Sequence, residues 1–114
     1  MSRTRIAQLN RRSAPLFAAL GDPTRLQLVL RLSAGKEYSI SQLGEGLALS
    51  RQGVTKHLRV LEQAGLIQSR WEGRENRYRY VPEAIAPAAA YLEQVEAHWD
   101  AALLRLQRFV ESAL

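Results

Sequence analysis

The chain has 114 residues, no cysteine and a net charge of +5, with 46% hydrophobic and 24% charged residues. This length and composition predict one small globular domain and exclude both disulfides and thiolate metal sites. No apolar run is long enough to span a membrane, and no apolar core follows the basic N-terminus, so we expect a cytoplasmic protein with no membrane partner.

The positive charge is concentrated in the first part of the chain. Residues 1–81 carry 14 Lys and Arg against 6 Asp and Glu, a net +8, whereas residues 82–114 carry 2 against 5, a net −3. A basic domain suggests a polyanionic partner. The acidic C-terminal part therefore has a different task.

The first predicted elements are helices. Residues 1–12 fit either a frayed amphipathic helix or a loose basic arm, and the sequence does not decide between them. Ser13 is expected to cap a helix over residues 14–20, because proline is tolerated in a first turn. Asp22 is expected to cap a second helix beginning at Pro23, central in the core. The apolar residues of that helix are Leu26, Leu28, Val29, Leu30 and Leu32.

A short helix precedes the most informative stretch. Residues 38–40 predict a short strand, and Ser41 is expected to cap a helix over residues 42–47 whose Leu43 and Leu47 face the core. A short helix, a tight turn and a second helix form the helix-turn-helix arrangement of DNA-binding proteins.

The second helix of this pair, residues 50–64, has two different faces and is the predicted recognition helix. Ser50 is a good N-cap, and Gly65 suits the left-handed residue that ends a helix. An apolar stripe is formed by Val54, Leu58 and Leu61. The opposite face is rich in cations and amides, which suit phosphate oxygens and base edges in a major groove. The candidate DNA-binding residues of this helix are Ser50, Arg51, Gln52, Thr55, Lys56 and Arg59.

Two runs that alternate apolar and polar residues, 66–72 and 76–81, predict a β-hairpin over residues 66–81, which we call the wing. The side chains expected to face the helices are Ile67, Trp71, Tyr78 and Tyr80. The arginines expected on the outer face are Arg70, Arg77 and Arg79. Arg74 at the tip and Arg77 are the candidate DNA contacts of the wing. The alternative is an edge strand whose charges only discourage aggregation.

Residues 87–113 predict one long C-terminal helix with a dimerisation seam. Its apolar residues at heptad spacing, with one neighbour, are Leu92, Val95, Trp99, Ala102, Leu103, Leu106 and Phe109. The alternative is a helix that folds back on its own domain, and part of the seam must do so. The whole seam exceeds what so small a domain can cover, so a symmetric homodimer is expected. A dimer would present two recognition helices to a palindromic operator, with each wing on the flanking backbone.

These elements together predict a mainly α fold with a small β-hairpin, namely a winged helix-turn-helix of about five helices plus the wing. We expect a single domain over residues 1–114, with a DNA-binding core over residues 13–81. The predicted function is sequence-specific binding of double-stranded DNA to regulate transcription.

Three motifs of the chain resemble the ArsR/SmtB family of bacterial repressors. They are the Leu-Gly-Asp-Pro-Thr-Arg run at 20–25, the stretch from Ser50 to Ile67 with Lys-His-Leu inside it, and residues 70–74. The resemblance implies a homodimer joined through its first and last helices, which adds Leu16 to the expected interface. It also implies a repressor that blocks transcription until an effector loosens it from DNA.

The sequence departs from the metal-sensing members of that family. Ser39 and Ser41 occupy the places of the family's cysteines, and serine hydroxyls are poor ligands for soft metals. Glu96 and His98 resemble half of a second metal site, but Phe109 and Ser112 stand where the other half would be. We therefore expect no metal and no cofactor. The effector stays open: a small organic molecule between the first and last helices, or none, with control through protein level alone.

Other classes of function fit the sequence less well. It has no Gly-rich phosphate loop, no nucleophile elbow and no histidine pair at ligand spacing, so we do not expect an enzyme. A winged helix that binds proteins would show apolar or acidic residues on the outer face of residues 50–64. A non-specific nucleoid-type DNA binder would have no need of Gln52 and Thr55. Both alternatives stay open.

Overall fold

The computed structural model of the protein describes residues 2–113. Its elements in chain order are α1 (Arg3–Leu20), α2 (Pro23–Leu32), β1 (Tyr38–Ser39), α3 (Ile40–Gly44), α4 (Arg51–Gln63), β2 (Ile67–Glu72), β3 (Glu75–Tyr80), a 3-10 turn (Pro82–Ile85) and α5 (Ala86–Ala113). The strands form one antiparallel sheet in the order β1-β3-β2. The predicted winged helix-turn-helix is confirmed: α3 and α4 form the helix pair, and β2 and β3 form the wing.

A single apolar core holds the helices against the base of the wing. Its buried residues are Leu16, Ala19, Leu28, Leu32, Leu43, Val54, Leu58, Leu61, Leu66, Ile67, Tyr78 and Ala88. Every helix from α1 to α5 contributes at least one of these residues. The small sheet covers one side through Ile67 and Tyr78, so the core positions both α4 and the wing.

Helix α1 begins ten residues earlier than the predicted cap. Ser2 caps it, and the expectation that Ser13 is the cap is wrong, since Ser13 lies inside the helix and is buried. The hydroxyl of Ser13 donates instead to the backbone oxygen of Pro87, at 2.9 Å. Pro15 lies in the helix interior, where its ring removes one backbone hydrogen bond. The open question about the N-terminal residues is answered for residues 3–12, which are helical.

The predicted N-cap residue is confirmed for α2 but not for α3. Asp22 caps α2 as expected and accepts the N–H of Arg25. For α3 the prediction of Ser41 is wrong: the cap is Ser39, whose hydroxyl accepts from Gln42 while the Gln42 side chain accepts the N–H of Ser39. This reciprocal capping box satisfies two backbone donors at once, and it starts the helix two residues early.

Helix α2 is buried on one side only. Leu28 and Leu32 lie in the core, whereas Leu26 is 53% exposed and Leu30 is 76% exposed. The prediction that this helix is central in the core is therefore wrong in part, because two of its four leucines face away from the core. A ten-residue helix at the edge of so small a core has one face to bury.

The wing has the predicted alternation, but its end extends past the core. Gly73, at a φ of +62°, makes the turn together with Arg74. Ile67 and Tyr78 are buried as expected, whereas Trp71 is 70% exposed. Trp71 pairs with Asn76 near the tip, on the same sheet face as Ile67, but there is no core beneath it at that point. The expectation that Trp71 packs inward is wrong for this reason.

Helix α5 has 28 residues and extends beyond the rest of the chain. From Glu96 to Ala113 every residue except Ala102 is exposed. This helix gives the molecule its longest dimension, 69 Å. Within residues 2–113, no helix combines the length and the apolar character that crossing a membrane requires.

The contact between Ser13 and Pro87 offers a test of how α1 is joined to α5. Ser13→Ala is expected to lower the free energy of unfolding by about 1 kcal/mol, since it removes a buried hydrogen bond. The measurement is urea unfolding followed by circular dichroism at one fixed protein concentration. Ser112→Ala is the control: Ser112 also donates to a helix carbonyl but is exposed, so its loss is expected to change stability by less than ~0.5 kcal/mol. Equal losses in the two variants would contradict a stabilising role for the Ser13 contact.

Candidate nucleic-acid interface

Helix α4 is attached to the core by a narrow apolar stripe. Val54, Leu58 and Leu61 are fully buried, as predicted. Ser50 caps the helix by accepting the N–H of Gly53 at 3.1 Å, and Gly65 follows its end with a φ of +80°. Only glycine adopts this backbone conformation without strain. The helix therefore begins and ends where the sequence predicts, and its opposite face is directed away from the core.

The candidate residues of that outer face lie together on the surface. One open groove is lined by Arg51, Gln52, Thr55, Lys56 and Arg59. Four of these are exposed, and Thr55 is half-buried. In the described part of the chain, none of the three cations forms an ion pair with an acidic side chain. The groove therefore offers unneutralised positive charge beside a neutral amide.

Thr55 differs from its neighbours because its hydroxyl already has a partner. Its Oγ1 donates to the backbone oxygen of Arg51 at 2.8 Å. Such a bond back to the preceding turn is common for threonine in helices. The hydroxyl keeps its acceptor lone pairs, and its methyl group remains available for apolar contact.

The wing tip lies close to the start of α4. Arg74 at the tip and Arg51 line the same cleft, of about 220 Å³, between the wing and the starts of α3 and α4. Both side chains are exposed. Glu75 lines this cleft as well. The predicted positions of Arg74 and of the recognition helix thus lie on one cleft, which carries two arginines and one glutamate.

Arg77 is placed differently from its prediction. It lies on the outer sheet face as expected, but it is half-buried, and its Nη1 donates to Glu75 at 3.0 Å. Its Nε also lies 3.4 Å from Glu72 and 3.8 Å from Glu37. Three carboxylates therefore surround this arginine, and it is not free for another anion in the structure.

Arg70, directly across the sheet from Arg77, shares two of these carboxylates, Glu37 and Glu72. It donates to both oxygens of Glu37, at 2.9 and 2.7 Å. This bond from Arg70 is the main reason why the pKa of Glu37 is lowered, and the same pair raises the pKa of Arg70. We call Glu37, Glu72 and Glu75 the wing acids, because together they neutralise Arg70 and Arg77.

The sequence alone does not identify Glu37 or Trp71 as part of this surface. Glu37 is 33 residues away from Arg70 in sequence, and only the pairing of β1 with β3 brings it there. Trp71 follows the predicted alternation, so nothing in the pattern distinguishes it from a buried residue. Its exposure shows only once the length of the wing relative to the core is known.

The predicted interface residues of α5 are accessible in the single chain. Leu92, Val95, Trp99, Leu103, Leu106 and Phe109 are each 47% exposed or more, and Ala102 is partly buried. Leu16 differs: it is 5% exposed and belongs to the core of its own chain. Its side chain is therefore covered by its own chain and is not available to a partner in this structure.

The described residues 2–113 contain no cluster of three or more His, Asp or Glu side chains that would hold a metal ion. His57 lies on α4 with its Nδ1 near Arg25, and His98 is exposed on α5.

Comparison with known proteins gives concordant matches. A family model described as a helix-turn-helix domain matches residues 20–70, which include α2, α3, α4 and the start of β2. The HTH-type transcriptional regulator CmtR of Mycobacterium tuberculosis is 39% identical over 82 residues, or 72% of this chain and 69% of that protein. The arsenical resistance operon repressor of Escherichia coli is 35% identical over 79 residues, or 69% of this chain and 68% of that protein.

Solved structures give the same result for the fold. An ArsR-like transcriptional regulator from a Rhodococcus species superposes with a TM-score of 0.67 at 37% identity, over 87% of this chain and 92% of that one. The transcriptional repressor BigR from Xylella fastidiosa superposes with a TM-score of 0.64 at 26% identity, over 81% of this chain and 95% of that one.

The wing acids offer a test of how much positive charge the wing can supply. Glu37→Gln is expected to release Arg70 and Arg77 in part, so that binding to random duplex DNA becomes tighter at low salt. The slope of log affinity against log salt is expected to steepen by about one to two units, roughly one for each new phosphate contact. Fluorescence anisotropy at four salt concentrations measures this slope.

The matched control is Glu93→Gln, which removes the same charge from an exposed position of α5 and is expected to leave the slope unchanged.

The pH of the measurement must keep Glu37 ionised. Because the pKa of Glu37 is lowered, its ion pair stabilises the fold above the ordinary glutamate pKa and is lost only as the pH falls through the lowered value. The comparison is therefore made at pH 7. A slope equal to that of the wild type would mean that Arg70 and Arg77 stay away from the DNA backbone.

Proposed function

The chain belongs to the ArsR-like family of helix-turn-helix transcriptional regulators, and on that premise we propose that it is a homodimeric repressor of transcription. In this proposal α4 enters the major groove of a palindromic operator, and the wing contacts the flanking backbone. The family consists of DNA-binding regulators and not of enzymes, as expected from the sequence.

One observation carries the proposal for α4. Its outer face presents Arg51, Lys56 and Arg59 without carboxylate partners among the described residues, although the wing acids neutralise other arginines nearby. A solvated helix face ordinarily alternates both signs of charge. A cationic face that remains unpaired beside an amide suits phosphate oxygens and base edges.

The outer side chains have different proposed roles. Gln52, with Ser50, Arg51 and Thr55, is proposed to contact base edges, whereas Lys56 and Arg59 contact phosphates. Arg74 at the wing tip is proposed to bind flanking phosphates, close enough to Arg51 to follow the same strand.

On the wing, Arg77 joins a DNA contact only if phosphates displace the wing acids. The exposed indole of Trp71, on the sheet face that packs on α4, is a further candidate for contact with the DNA backbone.

The proposed dimer rests on the distal part of α5. Its exposed apolar residues form one stripe along a helix that its own chain does not cover. Water-exposed stripes of this size ordinarily mark an interface, and a second copy of the chain offers a complementary one by symmetry. We propose that the interface contains Leu92, Val95, Trp99, Ala102, Leu103, Leu106 and Phe109, and not Leu16.

The proposed repressor is of the type that does not sense metals. The chain has no cysteine, and serine stands at positions 39 and 41, where metal-sensing members have cysteine.

We propose that the effector is a small organic molecule and not a metal ion. Two adjoining cavities of about 340 and 240 Å³ lie between α1 and α5 and share Asn10 and Tyr91. Polar and aromatic groups in these cavities suit a small amphipathic ligand.

The roles of α4 and the wing are tested by a pair of variants. Gln52→Ala is expected to cost ~1–3 kcal/mol on the duplex that the wild type selects from a randomised pool, and to leave scrambled DNA unaffected. Arg74→Ala is expected to weaken both duplexes alike and to flatten the salt dependence by about one unit. Anisotropy titrations on both duplexes measure these effects. Arg105→Ala, which removes the same charge from exposed α5, is the control for Arg74.

The same titrations decide between the proposed function and its alternatives. Wild-type binding to the selected duplex is expected to be at least ~10³ tighter than to the scrambled one. Equal and steeply salt-dependent binding to both duplexes would favour a nucleoid-type protein. No binding to either duplex at low salt would favour a winged helix that binds a protein.

The proposed dimer is tested by charge in the seam. Trp99→Glu is expected to give monomers by light scattering, because burying an unpaired carboxylate opposes association. Leu104→Glu is the control: Leu104 is similarly exposed but lies about 140° away around the helix, so a dimer is expected to persist. A Trp99→Glu variant that remains dimeric would move the interface away from α5.

A further inference from the structure

The side chain of Arg25 lies where α1, α2 and α4 meet. Its Nε donates to the backbone oxygen of Ala19 and its Nη2 to that of Ala18, both in the last turn of α1. Its Nη1 lies 3.2 Å from Nδ1 of His57 on α4. The positive guanidinium suits the carbonyl end of α1, and the same group connects that end directly to α4.

This contact determines which ring nitrogen of His57 carries the proton when the imidazole is neutral. An arginine side chain has only donors, so Nδ1 of His57 must accept, and the proton of the neutral imidazole lies on Nε2. A proton on Nδ1 would remove the acceptor and place two cations side by side. The bond to Arg25 therefore exists only while His57 is neutral.

The charged groups around the imidazole are few. Asp22 and Arg25 face it from α2, Lys56 precedes it on α4, and α1 contributes backbone carbonyl groups. Oδ2 of Asp22 lies 3.7 Å from Nδ1 of His57, and it already accepts the backbone N–H of Arg25 as the cap of α2. That backbone bond is the main cause of the lowered pKa of Asp22, so the carboxylate stays ionised. Protonation would turn the imidazole away from Arg25 and toward Asp22.

The position of His57 on α4 gives the contact its importance. At about 100° per residue, His57 lies about 70° to one side of the buried stripe, and Glu62 lies about 70° to the other side. Glu62 accepts from Ser69 of the wing at 2.8 Å. The buried stripe sets the approximate rotation of the helix about its axis. Apolar contacts have no preferred direction, so these two flanking hydrogen bonds add the directional restraint that resists rotations of a few degrees. A rotation of about 10° moves the helix surface by about 1 Å, enough to break a base contact.

We propose that Arg25 and His57 are positioning residues for DNA recognition: neutral His57, bonded through Arg25 to the last turn of α1, sets the rotation of α4 that sequence-specific binding requires. Protonation of His57 then removes specificity, while phosphate contacts, which tolerate small rotations, remain. This inference rests on the proposed function, because it takes α4 as the helix in the major groove.

The test measures specificity against pH. Anisotropy titrations use the duplex that the wild type selects from a randomised pool and a scrambled duplex, from pH 8 to pH 5.5 at constant ionic strength. The ratio of the two wild-type affinities is expected to be about tenfold lower at pH 5.5 than at pH 8, about the effect of one hydrogen bond.

Variants of His57 separate the bond from the charge. His57→Asn places an oxygen close to the position of Nδ1, which accepts from Arg25 but does not titrate, so it is expected to keep the pH 8 ratio at pH 5.5. His57→Leu lacks the acceptor and is expected to have the low ratio at both values. Unchanged affinity of His57→Leu for scrambled DNA, together with its circular dichroism, excludes unfolding as the cause. His98→Asn, on exposed α5, is the control and is expected to keep the wild-type pH dependence.

Two results would overturn the inference. One is a wild-type ratio that does not change with pH, and the other is a His57→Leu variant with full specificity. A wild type that binds both duplexes equally would instead overturn the proposed function. Nitrogen NMR of the DNA-free protein tests the contact between Arg25 and His57 independently of DNA binding. It is expected to show the Nε2–H form of His57 at pH 8. A proton on Nδ1 there would contradict the contact itself, whatever the DNA titrations give.

Discussion

The attachment of α4 by a narrow apolar stripe is the constraint on which the other features depend. Three buried side chains hold a 13-residue helix to the core, which leaves more than half of its circumference free for polar residues. Such an attachment resists withdrawal and large rotation of the helix, because both expose the buried side chains, but it restrains rotations of a few degrees less strongly. The polar contacts on its two flanks, from Ser69 and from Arg25, therefore have an effect on geometry greater than their number suggests.

The charge of the protein is divided by the sheet into two parts. On the outer face of the wing, the wing acids neutralise Arg70 and Arg77. Arg51 and Arg74 line the cleft beside α4 without an ion pair among the described residues, although Glu75 also lines that cleft. The net charge of the sequence does not contain this division. This division leaves unpaired positive charge on the outer face of α4, where it can attract a polyanion.

Sequence patterns predicted the elements whose signals are local. The caps Ser50 and Asp22, the glycine after α4 and the alternation of the wing each depend on residues within one or two turns. The failures have non-local causes. Ser13 looks like a cap, but its hydroxyl bonds to residue 87, and Trp71 looks buried because the pattern does not reveal where the core ends.

The candidate site shows the same limit. The outer face of α4 could be predicted, because helix periodicity alone brings those residues together. The contact of Arg77 with Glu37 could not, since Glu37 reaches it only through the pairing of two distant strands. The contact between Arg25 and His57 spans 32 residues, so it too could not be predicted from the sequence.

The exposed distal part of α5 has a consequence for the lifetime of the protein in the cell. A chain without a partner leaves about five turns of helix, from Glu96 to Ala113, almost entirely exposed, so tertiary packing gives their backbone little protection from proteases. In the proposed dimer, pairing would cover that segment. Degradation would then act preferentially on chains in excess of their partners, and cleavage within the segment would remove the means of pairing. The dissociation constant of the dimer would thereby also set the concentration below which newly made copies are cleared.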